Sequence, residues 1–343
     1  MTTPDGIDAT RVTSWLQERT ELEAPLTFET IQGGRSNLTY AVTDPQGRKV
    51  ILRRPPLHSV LQSAHDVARE HRIVAALADT DVPVPPLVGL ETDESVNGAP
   101  FYVMRFVDGL VVRDADAARA VDAAVRRTAG EDLVDVLGRL HAVDPDAVGL
   151  GGLGRKEDYL ARQLRRWHRQ LTDGRTRDLP LLDEVHARLS ADIPPQGPAT
   201  IVHGDYRLDN LIVDPASGHV RAVLDWELTT LGDPLADVGL LHCYWAQQGD
   251  ATLPLPDAPT LVDGFPDRDE VAERYAGATG RDLSELPYYV AFGYWKLACI
   301  LEGVYARYSS GAYGENDGSF ETFGRIVIEL GERASEAAAE AGR

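Results

Sequence analysis

Sulfur, lysine and net positive charge are all scarce in this chain, and long apolar runs are missing. The two cysteines, Cys243 and Cys299, fall in apolar stretches. They read as buried thiols in a reducing, cytoplasmic setting, and not as a disulfide frame or a cysteine metal site. Lysine occurs only at Lys49, Lys156 and Lys296, so the basic residues are almost all arginine. No run approaches the roughly 18 apolar residues of a membrane span, and none is expected. The start, Met1-Thr2-Thr3-Pro4-Asp5-Gly6, lacks the basic-then-apolar pattern of a secretion signal. No internal repeat is evident. The formal charge of −20 argues against nucleic-acid backbones and anionic membranes as main partners. It would suit a cationic ligand, although dispersed surface carboxylates account for it through solubility alone.

What is present is a chain of 343 residues with 43% apolar content. That length exceeds one small core and suits two lobes.

The most informative stretch is Ile201-Val202-His203-Gly204-Asp205-Tyr206-Arg207-Leu208-Asp209-Asn210-Leu211-Ile212-Val213, a polar loop between two short apolar runs. A second acidic centre, Asp225-Trp226-Glu227, follows. The turn Asp214-Pro215-Ala216-Ser217-Gly218 between Leu211–Val213 and Val220–Leu224 predicts a small hairpin, with Asn210 at its start and Asp225 at its end. Phosphoryl transfer needs a carboxylate to orient a hydroxyl and accept its proton. It also needs hard oxygen ligands to hold Mg²⁺ against nucleotide phosphates. Asp205 suits the first task, and Asn210 with Asp225 the second.

The order His203-x-Asp205-x4-Asn210, then a strand-borne Asp225, resembles the catalytic and metal-binding loops of protein-kinase-like enzymes. The wording His203-Gly204-Asp205 is similar to that of the aminoglycoside phosphotransferase family of small-molecule kinases. The continuation Asp225-Trp226-Glu227 and Leu231-Gly232-Asp233-Pro234-Leu235-Ala236-Asp237 resembles the branch that includes the kinase-like domain fused to some acyl-CoA dehydrogenases. The resemblance implies an α+β, two-lobed protein-kinase-like fold. Its N-terminal lobe, 1–107, would be a small antiparallel sheet that binds nucleotide, and its C-terminal lobe, 108–343, would be mainly helical and carry the catalytic and substrate-binding groups. It further implies ATP and Mg²⁺ as cofactors and a small-molecule hydroxyl as phosphate acceptor.

Within that frame the first lobe supplies the nucleotide contacts. The turn Gln32-Gly33-Gly34-Arg35-Ser36-Asn37 lies between two predicted strands. Gly33 and Gly34 would bring backbone N–H groups close to phosphate, with Ser36 and Asn37 as side-chain donors. The strand Lys49–Arg54 carries Arg53 where such kinases place a lysine. Arginine keeps the charge but is bulkier and forked. A register slip of one residue would put Arg54 there instead. Glu70, on a helix capped by Ser63 and running to about Asp79, is the candidate partner of Arg53; as a surface residue it would pair with Arg69 or Arg72. Met104 to Val107 takes the place where backbone groups meet adenine, which nominates Met104 and Phe106.

The remainder is predicted largely helical, over 116–142, 156–171, 181–189, 235–246, 286–308 and 320–339, with a capping box at Asp267–Glu270. His203 is expected to hold the loop's shape, His141 to be structural, and Asp237 to cap or brace the loop. The short segment 231–237 suggests a substrate smaller than a protein. Three functions stay open. The first is a small-molecule kinase, for which a hydroxyacyl compound is one acceptor class, with Arg162, Arg165 and Arg166 serving its phosphates. The second is a nucleotide-binding pseudokinase or scaffold, which the arginine at 53 keeps in play. The third is a hydrolase acting on water.

Overall fold

Residues with alternating polarity build the first sheet, and that alternation decides which side chains reach which face. The structure is a computed structural model that describes residues 3–31, 37–57, 66–250, 257–309 and 320–342. Its contacts divide the chain into two units, Met1–Gly109 with Arg221–Leu228, and Leu110–Val220 with Thr229–Arg343. The first break thus falls two residues after the expected 107/108 boundary, and the short segment around Asp225 is grouped with the N-terminal unit.

The first unit opens with helix α1 (Ala9–Gln17), followed by strands β1 (Thr27–Thr30), β2 (Leu38–Thr43) and β3 (Lys49–Arg54). Helix α2 (Val67–Leu77), strand β4 (Leu87–Glu91), the one-turn α3 (Glu94–Asn97) and strand β5 (Phe101–Arg105) complete it. The antiparallel sheet has the order β1-β2-β3-β5-β4. Successive side chains alternate between its faces. Val50, Leu52, Phe101 and Val103 join Val12, Trp15 and Leu16 of α1 in one core cluster. Ile51, Tyr102 and Met104 form a second cluster with Val67 of α2. Arg53 therefore shares the α2 face, and Arg54 the α1 face. Asp66 caps α2 through a bond from the Arg69 N–H; Ser63, the expected cap, lies outside the described residues.

The second unit is mainly helical: α4 (Ala115–Arg119), α5 (Ala123–Ala142), α6 (Tyr159–Gly174) and α7 (Pro180–Ala191) precede the polar loop. The expected single helix over 116–142 is broken, because Asp122 takes an extended conformation (ψ 158°) between α4 and α5. Strand β6 (Thr200–Val202) leads into the loop, and β7 (Leu211–Val213) and β8 (Val220–Val223) leave it. The hairpin turn is closed by Asp214 N–H to His219 O at 2.8 Å and Gly218 N–H to Asp214 O at 2.8 Å. The division between the units falls inside β8. Strand β9 (Thr230–Gly232) pairs antiparallel with β6, a pairing of distant segments that local sequence does not signal.

Helices α8 (Leu235–Tyr244), α9 (Arg268–Thr279), α10 (Leu286–Ser309) and α11 (Phe320–Glu340) follow. The capping box at α9 is present, with Asp267 and Glu270 each bonding the other's backbone N–H. On α6, Leu160, Leu164, Trp167 and Leu171 are buried, while Arg165, Arg166 and Arg169 are exposed, the spacing of a one-sided helix. Among the described residues, no helix is long and apolar enough to cross a membrane.

Candidate active site

In the second unit the polar loop begins where β6 ends, and a buried carboxylate fixes its start. Asp237, in the first turn of α8 and 1% exposed, accepts the N–H of His203 at 2.7 Å and the N–H of Gly204 at 2.8 Å. His141 Nε2 lies 3.2 Å from the same carboxylate, and its Nδ1 is 2.7 Å from the Tyr275 hydroxyl. Burial pushes the Asp237 carboxyl up, but the His141 hydrogen bond, the two imidazoles and the Gly204 N–H outweigh it. The group is held below the usual carboxylate range. Gly204 has φ +87°, a conformation that favours glycine.

Asp205 projects from this braced backbone with its side chain 26% exposed. The Tyr244 hydroxyl donates to its Oδ1 at 3.1 Å. Asn210 Nδ2 donates to its Oδ2 at 3.1 Å and to its backbone oxygen at 2.8 Å. Burial, then the Asp205 charge, pushes the Tyr244 phenol well above its usual range, so it stays a donor. Arg207 sits 3.6 Å from Oδ2, pairs with Asp209 at 2.8 Å and lies 4.8 Å above the Tyr244 ring. Because the Asn210 nitrogen bonds Asp205, the amide oxygen is its remaining acceptor.

The first unit carries a separate ionic cluster. Arg53 Nε is 2.8 Å from Glu70 Oε2, and its Nη2 is 2.6 Å from Asp225 Oδ1 and 3.8 Å from Glu227 Oε2. Tyr102, which faces Arg53 across the β3–β5 register, donates its hydroxyl to Glu70 Oε2 at 3.1 Å. Asn37 Nδ2 donates to Glu70 Oε1. Glu70 is 2% exposed. Burial raises its carboxyl, and the Arg53 charge only partly offsets this. Burial lowers the Arg53 guanidinium, but Glu70 and Asp225 reverse the direction and raise it. Asp225 has φ +62°, a left-handed conformation that aspartate tolerates better than most residues.

The structure thus answers the register question. Arg53 faces Glu70, while Arg54 turns to the other face and bonds the backbone oxygens of Gly6 and Asn97. Of the turn residues, Gly33, Gly34 and Ser36 lie outside the described residues, and the Asn37 amide nitrogen is engaged by Glu70. Met104 is 9% exposed within the α2-side cluster. Phe106, just past β5, is 44% exposed and lies under the Lys49 ammonium at 5.4 Å. Tyr244 and Tyr102 were not anticipated. Tyr244 is 39 positions from Asp205, and no local pattern marks it.

Asn210 belongs to the second unit and Asp225 to the first; side-chain oxygens of these two types are the kind that Mg²⁺ takes, an ion that keeps water and phosphate among its ligands. Among the described residues, no group of three or more His, Cys, Asp or Glu is assembled that could hold a metal ion.

The chain is 33% identical over 326 residues to acyl-CoA dehydrogenase family member 10 of Mus musculus, a match covering 94% of this chain. It spans 30% of that relative's length, and 40% of the length of the human family member 11. A solved structure from Ralstonia eutropha JMP134, provisionally assigned as an aminoglycoside phosphotransferase, superposes with TM-score 0.82 at 32% identity, covering 97% of this chain and 98% of that one. The macrolide 2'-phosphotransferase MphH of Brachybacterium faecium shares the fold, with TM-score 0.61 at 20% identity over 94% and 98% of the two chains. The antiparallel five-stranded sheet and the helical second unit therefore define a protein-kinase-like phosphotransferase fold of the α+β class. The sequence profile described as "Phosphotransferase enzyme family" matches residues 27–287, and the chain belongs to that family.

Proposed function

We propose that this chain transfers the terminal phosphoryl group of ATP, with Mg²⁺, to a hydroxyl of a small molecule. The observation that carries the reading is Asp205, a partly exposed carboxylate whose oxygens are held by Tyr244 and Asn210. Asp205 orients the acceptor hydroxyl and takes its proton as the new O–P bond forms, the bond from the terminal phosphorus to the bridging oxygen breaks and ADP leaves. Tyr244 and Asn210 keep the carboxylate aimed. Arg53, steadied by Glu70, meets nucleotide phosphate, and the main chain around Met104 and Phe106 meets adenine. Asn210 and Asp225 are assigned to Mg²⁺. Bound MgATP supplies the phosphoryl group and a cation that offsets its charge.

Relatives matched over most of this chain carry the name acyl-CoA dehydrogenase family member, which makes hydroxyacyl compounds the first acceptors to try. Arg162, Arg165 and Arg166 are the basic residues proposed to serve an anionic tail. The test is phosphate transfer from labelled ATP to a panel of hydroxyacyl compounds, amino sugars and simple alcohols. Asp205→Ala is expected to lower turnover by about 10²–10⁴-fold while leaving the thermal shift with MgATP intact. Wild-type turnover in that variant would remove Asp205 from the mechanism; transfer only to amino sugars would remove the hydroxyacyl reading.

The 2.6 Å bond between Arg53 and Asp225 favours a second reading, nucleotide binding without transfer. ATP-induced stabilisation with no ADP formed across the whole panel would select it.

A further inference from the structure

We propose that Lys296 is a positioning residue for this reaction: it fixes the peptide from which Asp205 projects. The inference rests on the phosphotransferase reading for its catalytic consequence, but not for its structural claim.

Lys296 is unlike the other two lysines. Lys49 is exposed, and Lys156 pairs on the surface with Asp146. Lys296 lies inside α10, a largely apolar helix, and is 7% exposed. A methionine or leucine would fill such a position without desolvating a charge. What the ammonium touches is the backbone carbonyl of Gly204, at 2.9 Å. The other end of the same residue, the Gly204 N–H, donates to Asp237 at 2.8 Å. A buried cation and a buried anion thus grip one glycine from opposite sides.

That grip constrains the ψ of Gly204 and the φ of Asp205, the two torsions that aim the carboxylate. Hydrogen bonds to charged groups are stronger and shorter than neutral ones, and glycine is the residue most able to drift without them. Burial lowers the Lys296 ammonium, while Asp205 and Asp237 are the acidic neighbours that support its charge, and Arg166 opposes it. The indole of Trp167, 5.7 Å away, covers it with a π face. No hydrogen bond from Lys296 to the Asp205 side chain is present among the described residues, so its action runs through the main chain.

The experiment compares wild type, Lys296→Met and Lys296→Arg by hydrogen exchange and by turnover. In Lys296→Met, the peptide covering 203–211 is expected to exchange at least about tenfold faster, with the first unit unchanged. The turnover number is expected to fall by about 10–100-fold with KM for ATP within about twofold, the signature of a group that acts in the transition state. Lys296→Arg, which keeps a buried cation, should recover part of both. Unchanged exchange at 203–211 in the Met variant overturns the proposal. So does faster exchange throughout the second unit in both variants, which marks a general packing role. If wild type phosphorylates nothing, the phosphotransferase reading fails, while the exchange data still decide whether Lys296 fixes the loop.

Discussion

Asp237 is the residue whose loss should be felt most, and the structure sets the size of the effect. Asp237→Ala removes the acceptor for two buried backbone N–H groups, those of His203 and Gly204, and takes a partner from the buried His141. An orphaned buried donor costs about 1–3 kcal/mol. Two of them, with the stranded imidazole, give about 3–6 kcal/mol, a large part of the ~5–15 kcal/mol that holds a typical protein folded. Asp237→Asn keeps one oxygen and turns an NH₂ toward the remaining N–H, so it should lose about half as much. Urea unfolding followed by the fluorescence of the five tryptophans measures both. The pH dependence gives an independent check. Asp237 is held below its usual value of 3.8, so around that pH the unfolded chain binds more protons than the folded one. The stability it contributes is full above 3.8 and is lost as pH falls through the lower folded-state value. The difference between wild type and the Asn variant should therefore shrink only in that acid window. An Ala variant within about 1 kcal/mol of wild type, or an Asn difference constant down through that window, would refute the account of the loop.

Three further expectations follow from particular contacts. Arg53→Met leaves Glu70 buried without its cation, which should destabilise the first unit by about 3 kcal/mol and weaken ATP binding, with Arg53→Lys retaining more of both; an unchanged melting temperature in the Met variant would contradict the ionic cluster. Gly218→Ala should be far worse than Gly47→Ala, although both have φ above +80°. A Cβ at Gly218 would sit 2.4 Å from the Val125 oxygen, while none of the described atoms lies within 4 Å of one at Gly47. About 1 kcal/mol at Gly47 and at least twice that at Gly218 are the losses to look for in thermal unfolding. Tyr244→Phe should slow transfer by roughly tenfold with little change in stability, since one hydrogen bond to Asp205 is worth about 1 kcal/mol; full activity would show that Asn210 alone aims the carboxylate.

Much of this protein was written locally. The alternation of Val50, Ile51, Leu52 and Arg53 specifies a strand with two different faces. The four-residue spacing along α6 specifies a one-sided helix, and Asp267 with Glu270 specifies a helix start. Each depends on neighbours within a few positions, so the chain itself carries the signal. The order His203, Asp205, Asn210 belongs with these, because one short loop places all three.

Tertiary structure decided the rest. Whether Arg53 or Arg54 meets Glu70 was open until the β3–β5 register and the side of the sheet taken by α2 were known. The pairing of β6 with β9 joins distant segments, and local sequence does not signal it. Asp237 is expected from sequence to brace the loop, but Tyr244 and Lys296 reach it from helices α8 and α10, which lie far along the chain. No periodicity marks these two, since a buried tyrosine or lysine acquires its meaning only from the atom it finds across the fold. Sequence sets the local conformations and the reactive groups; long-range packing sets which charges meet, because in a low-dielectric interior a partner at 3 Å decides whether a buried charge is tolerated at all.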